Sequence, residues 1–286
     1  MNSSGSAAAV GLLSAASWGG SDFVGGLGSR RSPALLVVFA GHLVSLFVLL
    51  AICLALHLSQ PGAHPILLAA VGGFEGSLAL ALFYRALAMG TMGLTAALTG
   101  LLTALVPVLF SLFHDGLPAP LTAVGLALGC VAIWFITRAP AAKGEATPPR
   151  ALLLGVLAGA GFGAQLILFK MANGGGILWV MTWARGAGVL AMLLVLLIRP
   201  PRAANGRLRL SGFWLFGIAA GMLDTAGNLF YLRASQVGRL DVAALVCSLY
   251  PAGTILLAAL VLRERPTRRQ VAGIALALGA VLILSR

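Results

Sequence analysis

Residues 34–58 read ALLVVFAGHLVSLFVLLAICLALHL, a stretch without Asp, Glu, Lys or Arg. A helix that spans the hydrocarbon core of a membrane needs about 20 consecutive residues of this kind. Nine other apolar stretches, separated by Pro, Gly or charge, lie at 7–27, 66–89, 92–113, 119–138, 151–171, 174–198, 210–233, 238–262 and 268–285. The pattern predicts an all-α integral membrane protein with about ten transmembrane helices. A membrane β-barrel is excluded because it would show polar residues with period two.

The composition agrees with a membrane protein. Of the 286 residues, 60% are hydrophobic and 9% are charged, and the mean hydropathy is +1.02. The net charge of +12 does not indicate nucleic-acid binding, because most Lys and Arg residues lie between apolar stretches, where they anchor membrane topology. The three cysteines have no paired spacing, and phosphate-loop, Rossmann and zinc-protease patterns are absent. We therefore expect no metal ion and no cofactor.

The chain consists of two similar halves. The longest polar interruption between them, residues 139–150 (APAAKGEATPPR), separates five apolar stretches from five others. Residues 83–98, FYRALAMGTMGLTAAL, correspond to residues 230–246, FYLRASQVGRLDVAALV. Because five is an odd number, the two halves enter the membrane in opposite directions, which is the inverted repeat of many secondary transporters. The predicted organisation is a repeat at 1–138, a linker at 139–150 and a second repeat at 151–286.

Several motifs carry a resemblance to a known family. They are the aromatic-Gly pairs Trp18-Gly19 and Phe162-Gly163, the segments FYRALAMG and FYLRASQVG, and the C-terminal run LVLRERPTRRQVAGIALALGAVLIL. In this order the chain resembles the drug/metabolite transporter superfamily, specifically its EamA-type ten-helix branch. The resemblance implies an exporter of amino acids or other small metabolites, and no enzyme. The chain departs from the family's usual Glu in one half, since Gly116 faces Glu264, with Asp115 beside it.

Three acidic residues lie more than one helical turn inside apolar stretches: Asp22, Glu75 and Asp224. A charged side chain at the centre of a bilayer costs about 2.5–3.5 kcal/mol on insertion scales, so such residues usually face a cavity or a partner. Glu75 and Asp224 lie near the middle of their stretches, and a carboxyl group there can bind and release a coupling proton. The alternative is a structural role, in which these acids pair with Arg185, Lys170 or His42.

Arg185 lies inside the seventh apolar stretch and cannot lose its charge. It therefore needs either an acidic partner within the protein or an anionic group on the substrate, and the sequence leaves both open. Trp183 is about 200° round the same helix from Arg185, so the two side chains face different surroundings. Trp183 is either packed against lipid or part of an aromatic cavity wall.

Two predicted helices carry a polar face. Trp18 and Asp22 share one side of the first helix, and Asp224, Asn228 and Tyr231 share one side of the eighth. Other polar or aromatic side chains inside the apolar stretches complete the substrate or coupling candidates, namely His42, Tyr84, Gln165 and Tyr250. Pro107 and Pro251 interrupt the fourth and ninth stretches and are hinge candidates, because proline removes a helix hydrogen bond.

Together these features predict a secondary exporter whose two halves rock around a central cavity, with proton coupling through a carboxylate. The alternatives are a membrane-embedded enzyme acting on lipid-linked substrates and a lipid-carrier flippase. The expected partners are a small-molecule substrate and the lipid bilayer, and monomer and homodimer both stay open. We predict a multi-pass protein of the bacterial inner membrane with both termini outside, because that orientation places most Lys and Arg in cytoplasmic loops. Members of this superfamily are often drawn with both termini inside.

Overall fold

The fold was obtained as a computed structural model that describes residues 3–89, 92–114, 116–137, 147–200, 210–263 and 267–284. Within these ranges the regular structure is helical, without a strand, which confirms the all-α prediction. The helices are α1 (Ser3–Arg31), α2 (Ala34–Ala55), α3 (Ala63–Met89), α4 (Met92–His114), α5 (Pro120–Thr137), α6 (Pro149–Ala172), α7 (Ile177–Ile198), α8 (Leu210–Val237), α9 (Leu240–Cys247), α10 (Tyr250–Val261) and α11 (Arg268–Leu284). Most of the predicted linker lies outside the described residues, and so do Asp115 and Glu264.

Seven segments of the described chain are long and apolar enough to cross a membrane. They lie in α2, α3, α4, α6, α7 and α8, and in α9 and α10 taken together. The helix α5 provides a shorter apolar segment, Pro120–Ala132. The multi-pass membrane fold is thus confirmed, whereas the number of ten spans stays a prediction.

The two predicted hinge prolines behave differently. The ninth predicted span is divided into α9 and α10 by a turn at Ser248 and Leu249, immediately before Pro251. Pro251 stands in the first turn of α10, where its missing N–H group is not needed. Pro107, in contrast, lies inside α4, which continues past it, so its role as a hinge stays a prediction.

Helices of the first half pack mainly against helices of the second half. The helix α1 packs on α8 and α10, while α3 packs on α6 and α7, and α5 packs on α11. The helix α2 packs between α7 and α8, and α4 packs on α6. These contacts place the core of the molecule between the halves, which is where its polar side chains meet.

Small residues allow the closest helix crossings. At the crossing of α2 and α8, Gly41 faces Gly221, and a Cβ atom at either position would overlap backbone atoms of the other helix. The crossing of α3 and α7 is equally close, because a Cβ atom at Gly73 would overlap the backbone of Ala184. Such backbone-to-backbone packing is typical of membrane helices, where small residues replace the bulky side chains of soluble interfaces.

Candidate functional site

A cavity of about 30 Å³, lined by polar and apolar side chains, lies between six helices, three from each half of the chain. Its walls come from α1, α3 and α4 on one side and from α6, α8 and α10 on the other. The lining residues are Trp18, Asp22, Leu80, Thr103, Phe162, Gln165, Leu166, Asp224, Asn228 and Tyr250. Six of the predicted site residues are therefore brought together: Trp18, Asp22, Gln165, Asp224, Asn228 and Tyr250.

Aromatic rings form one wall of this cavity. The indole of Trp18 stacks on the ring of Tyr231 with centroids 6.2 Å apart and meets the ring of Tyr250 edge-on at 6.2 Å. The hydroxyl group of Tyr231 donates to the carbonyl oxygen of Leu166 at 2.6 Å, which fixes this ring behind the indole. Gly227 leaves the space for Trp18, since a Cβ atom there would lie 2.5 Å from the indole Cδ1 atom.

Asp224 is held by a buried ion pair. The Nη2 atom of Arg185 lies 2.6 Å from Oδ2 of Asp224, and both side chains are almost completely buried. The amide group of Asn228 donates to Oδ1 of the same carboxylate at 3.2 Å and to the Asp224 carbonyl oxygen at 2.8 Å. Of the two partners that the sequence leaves open for Arg185, the structure therefore provides the acidic one.

The ion pair continues into a chain of hydrogen bonds. The Nη1 atom of Arg185 lies 3.1 Å from Nδ1 of His42, and the Nε2 atom of His42 lies 2.8 Å from the Ser77 hydroxyl group. Because a guanidinium group can only donate, Nδ1 must accept, and the ring proton resides on Nε2. His42 then donates to Ser77, which in turn donates to the carbonyl oxygen of Gly73. Neither Arg185 nor His42 lines the cavity.

Asp22 differs from Asp224 in having no cation. Only 5% of its surface is exposed, and its Oδ2 atom is buried without a hydrogen-bond partner. The ion pairs within the described residues are Arg185–Asp224 and Arg239–Asp241. The carboxyl group of Asp22 is thus a buried acid that faces the cavity unpaired.

Glu75 lies outside this cavity, at the packed interface of α3 with α6. Its Oε2 atom approaches Gly161, whose Cβ position would be 3.1 Å away, and its Oε1 atom is buried without a partner. The nearby amide group of Gln165 donates to the carbonyl oxygen of Gly72 at 3.0 Å and reaches the cavity from this interface.

The remaining predicted site residues occupy other surroundings. Tyr84 is completely buried behind α1, and its hydroxyl group lies 2.9 Å from that of Ser21. Trp183 is 37% exposed on the outer side of α7, which agrees with the lipid-packing alternative. Lys170 donates to the carbonyl oxygen of Ser235 near the end of α8.

Sequence reasoning missed four cavity residues, namely Leu80, Thr103, Phe162 and Leu166. Among the buried polar groups it also missed Ser77 and the completely buried Asp241. Phe162 could have been found, because it is the repeat equivalent of Trp18, and Asp241 could have been found as an acid within an apolar stretch. Leu80, Thr103, Leu166 and Ser77 carry no signal of their own in an apolar helix.

A helical fold with seven described segments long and apolar enough to cross a membrane, and with a cavity between its halves, indicates a polytopic membrane protein. The model of the EamA-like transporter family matches residues 149–286. The second half of the chain is thus similar to this family, which bears out the predicted resemblance to the drug/metabolite transporter superfamily.

Comparison with solved structures supports the fold across the whole chain. One protein of known crystal structure aligns over 98% of both chains, with a TM-score of 0.75 and 18% sequence identity. At this identity the similarity establishes the fold alone. A comparison with curated protein sequences gives no match.

Proposed function

We propose that the protein is a secondary exporter of small metabolites such as amino acids, and that the cavity between its halves is the substrate site. The observation that supports this proposal is the origin of the cavity walls, because α1, α3 and α4 face α6, α8 and α10 across it. A site at the junction of two inverted repeats becomes accessible from either side when one repeat moves against the other.

The placement of charge also favours transport. Asp22 and Asp224 are carried by membrane-embedded helices, where an ionised side chain is costly unless it serves a cavity or an ion pair. Both acids line the cavity, and only Asp224 has an ion-pair partner in the described part of the chain. A purely structural core would bury apolar side chains in these positions at lower cost.

The helix geometry offers a means for the halves to move. The break between α9 and α10 lies directly beside the cavity, because Tyr250 both begins α10 and lines the cavity wall. Broken helices that expose backbone groups next to a substrate site are a common feature of secondary transporters. Pro251 is therefore our preferred hinge, ahead of Pro107.

The sequence also supports proposals about the coupling ion, the membrane in which the protein resides and the side on which its termini lie. We propose that a proton couples to transport through Glu75 or Asp224, the two acids near the middle of their helices. Glu75 has no ion-pair partner among the described residues, so it is the freer of the two to exchange a proton. The protein would reside in a bacterial inner membrane with both termini outside, as the distribution of Lys and Arg favours.

The proposal is tested by flux measurements in sealed proteoliposomes with a panel of labelled amino acids, amines and carboxylates. A transported solute leaves chemically unchanged, whereas a membrane enzyme would convert it. Leu80→Trp places a bulky ring in the cavity and should abolish flux. The matched control is Leu215→Trp on the exposed side of α8, where 73% of the side-chain surface is free, and it should transport normally. Unchanged flux in Leu80→Trp would show that solute takes another path.

A further inference from the structure

We infer that Asp22 is the binding group for a positively charged amine, so that the cavity selects organic cations over neutral and anionic analogues. This inference rests on the proposed transport function and specifies the substrate class of the same cavity.

One of the two carboxyl groups that line the cavity has a cationic partner among the described residues. They belong to Asp22 and Asp224, and the guanidinium group of Arg185 already neutralises Asp224 at 2.6 Å. Asn228 occupies the other oxygen of Asp224 at 3.2 Å. Within the described residues Asp22 has no such cation, so a positively charged partner is the one that this carboxyl group lacks.

The described cavity lining offers no cationic side chain that could bind an anionic substrate. Arg185 stands behind Asp224 and is not part of the cavity lining. Its two terminal nitrogens are engaged with Asp224 and His42 at 2.6 and 3.1 Å. No Lys or Arg side chain is among the lining residues of the described cavity. A substrate carboxylate would therefore meet the charge of Asp22 without a compensating cation.

Aromatic side chains line the same cavity as Asp22. Trp18 precedes Asp22 by one helical turn, so the indole and the carboxylate face the cavity from the same side of α1. Tyr250 and Phe162 complete an aromatic surround. Aromatic faces attract cations within about 6 Å of the ring centre and also pack well against an apolar body. An ammonium group between Asp22 and these rings satisfies both kinds of contact.

The size and polarity of the cavity also bear on the substrate. The cavity volume is about 30 Å³, far below the range of about 300–1,000 Å³ for small-molecule sites, so a substrate is admitted only when the cavity walls move apart. The side-chain groups of Gln165, Asn228 and Thr103 provide hydrogen bonds for one further polar group. The class that fits is a small amine with an apolar or aromatic body, including the amine end of a small zwitterion.

The test uses three compounds of similar shape and different charge: phenethylamine, 2-phenylethanol and 3-phenylpropanoate. Calorimetric titration of the full-length protein in lipid nanodiscs should show phenethylamine binding at least tenfold more tightly than either analogue. Asp22→Asn should reduce this preference to within about twofold while leaving the affinity for 2-phenylethanol unchanged. Asp22→Glu should keep part of the preference, because it retains the charge.

Controls and contrary outcomes are defined on the same samples. Trp18→Leu should weaken phenethylamine binding several-fold, whereas Trp214→Leu, at a 39% exposed position of α8, should not. Equal affinities of the wild-type protein for all three compounds would mean that Asp22 carries a proton, and would overturn the inference without any variant. A cation preference that survives in Asp22→Asn would overturn it too. Solute flux that persists without charge preference refutes only this inference, whereas amine binding without flux of any solute refutes the transport function.

Discussion

The Arg185–Asp224 pair allows a quantitative prediction of stability. Both side chains are buried, with 5% and 11% of their surface exposed, so Arg185→Ala leaves an unpaired charge in a site that water hardly reaches. Breaking a buried ion pair by removing one partner costs about 3–5 kcal/mol. We expect a loss of this size in the free energy of unfolding, measured by chemical denaturation in mixed micelles with circular dichroism.

The double variant Arg185→Ala/Asp224→Asn separates the ion pair from its surroundings. It removes the buried charge, but Nδ1 of His42 still lacks the donor that Arg185 provides at 3.1 Å. An unsatisfied buried acceptor costs about 1–3 kcal/mol, so the double variant should regain about 2 kcal/mol and remain less stable than the wild type.

The control for this cycle is Arg233→Ala, at an exposed position of α8 where the side chain donates a hydrogen bond to the exposed Gln236 at 3.2 Å. Its free energy of unfolding should change by less than about 0.5 kcal/mol. A loss below about 1 kcal/mol in Arg185→Ala, or a double variant no more stable than the single one, would refute the assigned role of the pair.

Three further predictions concern packing, coupling and topology. Gly221→Ala should destabilise the fold by about 1–3 kcal/mol, because its methyl group meets the backbone of Gly41, whereas Gly212→Ala on the same helix has free space and should be neutral or slightly stabilising in the same unfolding assay. Glu75→Gln should flatten the pH profile of flux in proteoliposomes while the protein stays folded, and an unchanged profile would exclude coupling through this acid. A C-terminal reporter that functions only outside the cytoplasm should be active, and activity of a cytoplasmic reporter would reverse the orientation.

The membrane helices could be predicted from the sequence because the bilayer imposes one length on every apolar stretch. The family resemblance followed from short motifs repeated in order. The count of spans was harder, since α1 is rich in Ser and Gly and α5 and α11 are short in the described residues. The position of Pro251 agrees with the break between α9 and α10, whereas Pro107 lies inside a continuous α4, where neighbouring helices can compensate for one lost hydrogen bond.

Some of the predicted site residues line the cavity and others do not, for a physical reason. In water the polar face of a helix is the outer one, but in a bilayer the lipid-facing and core-facing sides are both apolar. Nothing in the sequence therefore distinguishes Glu75, at a helix interface, from Asp22, in the cavity. The pairing of Arg185 with Asp224 was one of several combinations until the packing of α7 beside α8 was known.

The chain of contacts from Asp224 to Ser77 determines which interaction would break if the two halves move apart as proposed. Arg185 and Asp224 both belong to the second half of the chain, whereas His42 and Ser77 belong to the first. A seam that opens between the halves would cut the Arg185–His42 hydrogen bond and leave the ion pair whole. Because its donor is charged, this hydrogen bond costs about 1.5–3 kcal/mol to lose, against about 3–5 for the ion pair. Asp224 would thus keep its cation throughout, and the imidazole nitrogen chemical shifts of His42 would report each opening.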